Sequence, residues 1–378
     1  MQPKYRRRRQ WAGALSIALV LLLVGTLGYI WYQREIVGTR DYSGSGNGKI
    51  VMVRVDEGDS VASLVPELVE KNVVGSRRAL MAEVSKEPPT LQAGYYPLQE
   101  EMSAKAALSK LSDEKSRRGV VDIPTGLTLE DVTVVGGKTR EGIYTLVSKQ
   151  TCQDENTCVS PDKLRQAVSQ TAPADLGVPQ WAQEAVNRRG DDPKRIEGLI
   201  SPGIHVFDPT SDPTQIMKTL ITASAEQYEN TGLVSAAGKI GLSPYEMVTA
   251  ASLIEREAPA NDFDKVGRVI LNRLKINQKL EFDSTVNYSL SEQEVATTDA
   301  DRKRVTPWNT YAKQGLPGTP IASPGLKALH AIENPAPGDW LYFVTIDKDG
   351  TTVFNRDFAE HEKAIEQSRA NGVLDSGR

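Results

Sequence analysis

The sequence predicts an α+β protein held on a single transmembrane helix, with a small α+β module ahead of a larger mixed α/β domain. Three observations set that class. A run of 22 uncharged residues, Trp11 to Tyr32, follows a cluster of five basic ones. Strand-like alternation and helical periodicity then interleave within one short stretch, residues 49–115. Beyond it, amphipathic helices mix with strands and Pro/Gly-rich loops as far as residue 370. At 378 residues the chain also exceeds what one hydrophobic core usually serves, so more than one domain is expected.

The first element is the anchor, residues 11–32, WAGALSIALVLLLVGTLGYIWY. About 20 apolar residues cross a bilayer as a helix, and aromatic residues at both ends suit its interfaces. Lys4 and Arg6 to Arg9 predict that residues 1–10 stay in the cytoplasm. A cleaved signal peptide would have a shorter apolar core and an A-x-A-like site, so the segment reads as uncleaved. Everything after residue 33 is then expected outside the cytoplasm. Taking the five basic charges from the net −4 leaves −9 on the rest, which argues against nucleic acid as a partner. Cys152 and Cys158, in TCQDENTC, read as a small disulfide loop in such a compartment, with two free thiols as the alternative. Together with His205, His330 and His361 they fall short of a four-ligand zinc site, so no metal or cofactor is expected.

Residues 33–48 form a Gly/Ser-rich linker. The module at 49–115 opens with a strand at Ile50 to Val55. Asp59 or Ser60 caps a helix whose apolar positions are Val61, Leu64, Val65, Leu68 and Val69. A second helix is expected around Ser76 to Lys86, then a strand in LQAGYYPL and a short helix in SAKAALSKLSD. The larger domain, 116–370, begins with GVVDIPTGLTLEDVTV, read as a strand, a turn and a helix capped at Thr128. A polar insertion at about 140–192 carries both cysteines among short helices. IEGLISPGIHVFDPT is turn-rich, and helices follow at Thr214 to Asn230, Ser243 to Ala258 and Asp262 to Asn277. Strands and long loops are expected from there to Glu360, and a loose tail at 371–378.

The Ser243 helix, SPYEMVTAASLIEREAP, raises a question that its pattern alone leaves open. Ser243 and Glu246 form a capping box with proline at the first helical position, and Pro259 stops the helix. At 100° per residue, Met247, Ala250, Ala251, Ile254 and Ala258 share one side, and Arg256 is expected to face water. Glu255 and Glu257 fall on opposite shoulders of the apolar arc. Proximity to the helix C-terminus favours Glu257 as a proton-holding carboxyl, because unpaired carbonyls there raise its pKa.

Downstream lie LEFDSTVNYSL, TPWNTYAKQGLPGTPIASPGLKALHAIENP, WLYFVTIDKDGTTVF and NRDFAEHEKAI. With ASLIEREAP, VGRVILNRL and the anchor, the chain resembles the endolytic murein transglycosylase (YceG-like) family over nearly its whole length. The resemblance implies a LysM-like module at 49–115 and a catalytic domain over the remainder. It implies Glu257 as the catalytic residue, matching the second glutamate of the family's helix motif. It further implies substrate-binding positions at Asp283, Thr285 and Tyr288, at Asn309, Thr310 and Tyr311 of the NTY motif, and at Asn355 and His361. Two segments depart from the family pattern. GLPPGPI reads GLPGTPI here, with Gly318 and Thr319, and a P-D-T-Y-like segment reads Pro202-Gly203-Ile204-His205.

The implied activity is endolytic cleavage of the MurNAc–GlcNAc β-1,4 bond of peptidoglycan strands to leave 1,6-anhydro-MurNAc ends, so that nascent strands are terminated or trimmed. Partners would be glycan strands, the bacterial inner membrane crossed once, and peptidoglycan synthases. One carboxyl suffices when the sugar's own C6 hydroxyl is the nucleophile, provided burial keeps that carboxyl protonated. Asn309 or Tyr311 could then orient substrate groups, and Tyr288 could stack on a sugar face. A hydrolytic muramidase using Asp283 as second carboxylate, or a non-catalytic envelope scaffold that binds cell wall, are the alternative readings.

Overall fold

The computed structural model describes residues 19–30, 40–86, 88–134, 136–152, 158–290, 292–293 and 297–374. Residues 19–30 are helical and exposed; the remainder of the expected 11–32 span lies outside the described residues. Among the described residues no helix is long and apolar enough to cross a membrane. The rest of the chain divides into two compact units at Arg118 and Gly119, where 115 and 116 were expected.

The first unit contains β1 (Ile50–Val55), α1 (Val61–Glu70), α2 (Arg77–Lys86), β2 (Gly94–Gln99) and α3 (Ala104–Ser112). β1 and β2 pair antiparallel, Ile50 opposite Gln99 and Val55 opposite Gly94. Ser60 rather than Asp59 caps α1, its hydroxyl accepting from the Ser63 amide. Val53, Val55, Leu64, Leu68, Leu80, Leu98 and Leu111 form the core. Val69, at the edge of the predicted stripe, stays 39% exposed and outside that core.

The second unit runs β3 (Val120–Ile123), β4 (Val132–Val134), β5 (Lys138–Arg140), α4 (Ile143–Gln150), α5 (Pro161–Gln170), α6 (Gln180–Asn187) and β6 (Gly203–Val206). Helices α7 (Pro213–Asn230), α8 (Leu233–Ile240), α9 (Pro244–Glu257), α10 (Phe263–Lys275) and α11 (Asp283–Asn287) follow. β7 (Glu292–Gln293), α12 (Asp299–Lys303), α13 (Leu326–Glu333), β8 (Tyr342–Thr345), β9 (Thr352–Asn355) and α14 (Phe358–Ala370) complete it. Its sheets are small: β3 with β6, β5–β4–β7, and β8 with β9. Cys152 and Cys158, just after α4, are joined by a disulfide.

Two expectations give way here. No helix starts at Thr128, whose hydroxyl donates to the Glu130 carbonyl instead of capping one. Val132-Thr-Val134 alternates with period two, and Gly136 and Gly137 (φ 95° and 75°) supply the left-handed backbone that turns β4 into β5. Beyond α10, helices α11, α12 and α13 stand where only strands and long loops were expected. They are five to eight residues long, too short for a 3.6-residue period to declare itself.

The unit has two hydrophobic cores with α9 between them. Tyr245, near the start of α9, packs with Leu129, Tyr144, Leu199, Phe207 and Leu220. Met247 to Ile254 pack instead with α10 and α13 through Val266, Ile270, Leu329 and Ile332. Every residue from Met247 to Ile254 is buried, so α9 is enclosed on all sides through its middle, between an exposed Glu246 in the first turn and a part-exposed last turn.

Candidate active site

The end of α9 is where that enclosure opens. The helix begins in the expected capping box, with Ser243 Oγ accepting from the Glu246 amide and Glu246 Oε2 accepting from the Ser243 amide at 2.7 Å. It ends because Ala258, ahead of Pro259, is extended at φ −139°, ψ 155°. The two shoulder glutamates leave the helix for different partners. Glu255 Oε2 accepts from the Gly325 amide at 3.0 Å, tying α9 to the residue that begins α13. Arg256 does not face water as expected; it is half-buried, and its Cδ would lie 3.7 Å from a Cβ placed on Gly126. The chain folding back at Gly126 covers it.

Glu257 points at α11. Its Oε1 accepts from the Ser284 amide at 3.2 Å. Burial pushes its pKa up to about 7, against hydrogen bonding from Ser284, which pulls it down; Asp283 raises it further and Arg256 lowers it. The carboxyl is thus enclosed by protein, yet the residue keeps part of its surface accessible. A carboxylic acid that is half protonated near neutral pH and still reachable can give and take a proton in one reaction.

α11 and the NTY segment form the wall opposite. Asp283 Oδ1 accepts from Tyr311 Oη at 2.7 Å, Thr297 Oγ1 at 2.7 Å and Arg302 Nε at 3.2 Å, while Oδ2 accepts from Arg302 Nη2 at 3.1 Å. Thr285 donates to the Phe282 carbonyl at 2.6 Å, so in its 2.9 Å contact with Thr310 the Thr310 hydroxyl is the donor. Both threonines are fully buried. Asn309 is buried too: its Nδ2 donates to the carbonyls of Arg302 and Arg304, and its Oδ1 accepts from the Tyr311 amide at 2.9 Å. Asp283, Thr285, Asn309, Thr310 and Tyr311, the five positions that the resemblance implied for substrate binding here, therefore lie together, but they bond mainly to one another. Of the five, Asp283 and Tyr311 keep part of their surface.

Tyr288 is corrected by its surroundings. It is 7% exposed and meets Trp308 edge-on with ring centroids 5.2 Å apart, leaving no free face for a sugar. Its hydroxyl donates to Glu197 Oε2 at 2.8 Å. Trp308 in turn donates from Nε1 to Thr319 Oγ1 at 2.8 Å, so the threonine of GLPGTPI is put to use. His205, the other departure, is buried with Nε2 2.7 Å from the Ser201 carbonyl.

Glu197 itself escaped the sequence reading. It is 0% exposed, and burial raises its pKa to about 7 against hydrogen bonds from Tyr288 and the Leu129 amide. The signal was a lone acidic residue inside RIEGLI, masked by the turn-rich character of the segment. Asn355 and His361 lie elsewhere. His361 stacks on Tyr342 at 5.1 Å, and burial lowers its pKa, with the Arg273 charge adding to the effect. Asn355 stands opposite Tyr342 in the β8–β9 ladder. Among the described residues no hydrogen bond joins either side chain to Glu257; Arg273, which donates to the Leu280 and Leu341 carbonyls, bridges the two areas.

Comparison with known proteins gives this geometry its relatives. The YceG-like family matches residues 53–367. The endolytic murein transglycosylase of Bacillus subtilis (strain 168) is 27% identical over 322 residues, covering 84% of each chain. That of Streptococcus pneumoniae D39 is 24% identical over 368 residues, which is 94% of this chain and 64% of the relative. In structure, a YceG-like protein of Listeria monocytogenes matches with a TM-score of 0.54 and 25% identity, over 84% of this chain and 99% of that one.

Proposed function

The chain belongs to the YceG-like family, and from that premise we propose that it is an endolytic lytic transglycosylase of peptidoglycan with Glu257 as its single acid/base. The observation that carries the reading is the Glu257 carboxyl, held near pKa 7 by burial at the part-exposed C-terminal end of a helix whose middle is enclosed. The names of the relatives point to the same activity.

Glu257 in its acid form donates its proton to the oxygen between MurNAc C1 and GlcNAc C4, and the C1–O bond breaks. Positive charge develops at C1, and the MurNAc C6 hydroxyl oxygen closes on it to form the 1,6-anhydro ring. The C6 hydroxyl proton passes to the Glu257 carboxylate, which restores the starting acid. No water is consumed and no second carboxylate is required. A muramidase would need such a second group, and Asp283 is poorly placed for it: four hydrogen bonds already occupy its oxygens. Tyr311 stays beside the acid with its hydroxyl oriented by Asp283 and can offer its oxygen to a substrate N–H or O–H.

The remaining assignments complete the picture. Residues 11–32 anchor the chain in the inner membrane with the catalytic unit outside, supported by the basic cluster and the uncharged run. Residues 49–115 serve as a LysM-like module, glycan strands are the substrate, and synthases are the partners that deliver them. Asp283, Thr285, Asn309, Thr310 and Tyr311 shape the cleft wall, with Asn355 and His361 farther along the same strand path. Mass spectrometry of products from purified glycan strands tests the chemistry: 1,6-anhydro-MurNAc ends are expected, and reducing ends would reassign the protein as a muramidase. A reporter fused after Arg378 tests topology, with activity expected only outside the cytoplasm.

A further inference from the structure

A five-residue helix has no stability of its own, because the cost of nucleating it is not recovered in so short a run. The position of α11 is therefore set by whatever holds its two ends. The N-terminal end is held by the Asp283 cluster and by Thr285 against Thr310. Its C-terminal end is held by Tyr288, which sits immediately after Asn287 and donates to Glu197. Glu197 in turn is seated on the first core, accepting from the Leu129 amide at 3.2 Å. The same short helix carries the Ser284 amide that meets Glu257 Oε1.

We infer that Glu197 is a positioning residue, fixing α11 through Tyr288 so that the Ser284 N–H stays on the Glu257 carboxyl. The inference rests on Glu257 being the acid. Its physical content is a chain of three short links, Leu129 amide to Glu197, Glu197 to Tyr288 hydroxyl, and α11 to Glu257, each inside the protein. Cutting the middle link leaves a buried acceptor without its donor and releases one end of a helix that cannot hold itself. Other charged or titratable groups that face the pair are Lys194, Tyr144 and Tyr245 around Glu197, and Asp283, Arg256, Arg273 and Tyr311 around Glu257.

Three variants of the full chain test this: Tyr288→Phe, Glu197→Leu and Glu197→Gln, each measured for kcat, KM, pH–rate profile and thermal melting on purified glycan strands. Tyr288→Phe and Glu197→Leu should lower kcat by about tenfold to a hundredfold, the scale of a displaced catalytic group, with KM nearly unchanged. In Tyr288→Phe, which leaves every carboxylate in place, the alkaline limb should move upward, because the Ser284 hydrogen bond holds the Glu257 pKa down and is weakened. Glutamine at 197 can still accept from Leu129 and can donate to the Tyr288 oxygen, so Glu197→Gln should lose much less than Glu197→Leu. Lower melting temperatures with wild-type kcat and pH limb would overturn the inference in favour of a merely structural strut. Loss in Glu197→Gln as deep as in Glu257→Gln would overturn it in the other direction, making the Glu197 proton a direct participant. Should Tyr288→Phe not fold, the Glu197→Gln and Glu197→Leu pair alone decides. Full activity in Glu257→Gln would instead remove the premise, and the two failures are distinct.

Discussion

Glu197 and Glu257 are both carboxyls whose pKa burial pushes up to about 7, yet only Glu257 keeps part of its residue surface accessible. Glu197 is sealed, with one side chain and one main-chain donor turned onto it from two different segments. Glu257 has a main-chain donor from Ser284 and keeps part of its surface at the end of a helix whose middle is enclosed. A raised pKa records that a carboxyl has been taken out of water. Whether that carboxyl can act depends on whether anything can reach it, and residue exposure is where the two glutamates part.

The largest effect should come from Glu257→Gln, which keeps shape and removes the transferable proton. General acid catalysis is typically worth about 10²–10⁴-fold, so strand cleavage should fall by that range while circular dichroism stays native. A variant that still cleaved normally would erase the distinction between the two pockets. Next in size is the pH dependence of the wild type. The reaction starts from the protonated acid, so activity should fall as pH rises through about 7, and by about tenfold for each further unit. Glu197→Gln should retain this limb near its wild-type position, since the limb belongs to Glu257.

Stability should respond with the opposite preference. A carboxyl whose folded pKa lies above its unfolded value contributes fully below the unfolded pKa and loses that contribution as pH rises through the folded one. Both glutamates rise from 4.5 to about 7, so each destabilises the fold at pH 8 and neither does at pH 4. Glu197→Gln should therefore gain up to about 3 kcal/mol over wild type at pH 8 and nothing at pH 4, read by denaturant titration. Glu257→Gln should gain less, because residual exposure lets water offset part of the penalty. The smallest effect is expected of Glu255→Gln. Its partner is the Gly325 amide rather than α11, so it should cost about 1 kcal/mol of stability and less than about threefold in cleavage. A deep loss of cleavage there would mean that the wrong shoulder of α9 has been assigned the chemistry.

Much of the scaffold around this contrast was legible in the residue order. Ser243, Pro244, Glu246 and Pro259 bracket α9 as capping rules require, and α1, α7 and α10 fall close to their expected bounds. The β4–β5 hairpin was not legible, because Thr128 offers a cap signal that the alternating Val132 and Val134 override once β7 is available to pair with them. Asp283, Asn309, Thr310 and Tyr311 were recognisable through family motifs, and their mutual bonding was not. Tyr288 was misjudged for the same reason: its ring looked free until Trp308 and Glu197 were seen against it.

By itself the sequence determined the anchor-like run, the capped helix, the pair of candidate carboxyls on its two shoulders and the family. These follow from local rules, since caps, periods and motifs are read within a few residues of one another. Only the tertiary structure decided which carboxyl is tied to Gly325 and which faces Ser284, that Arg256 is covered, and that Glu197 reaches across 91 residues to Tyr288. Helical periodicity specifies the angle at which a side chain leaves its axis and is silent on what waits there. A carboxyl's proton affinity is set by that surrounding matter, brought in from distant parts of the chain when the two cores close on α9.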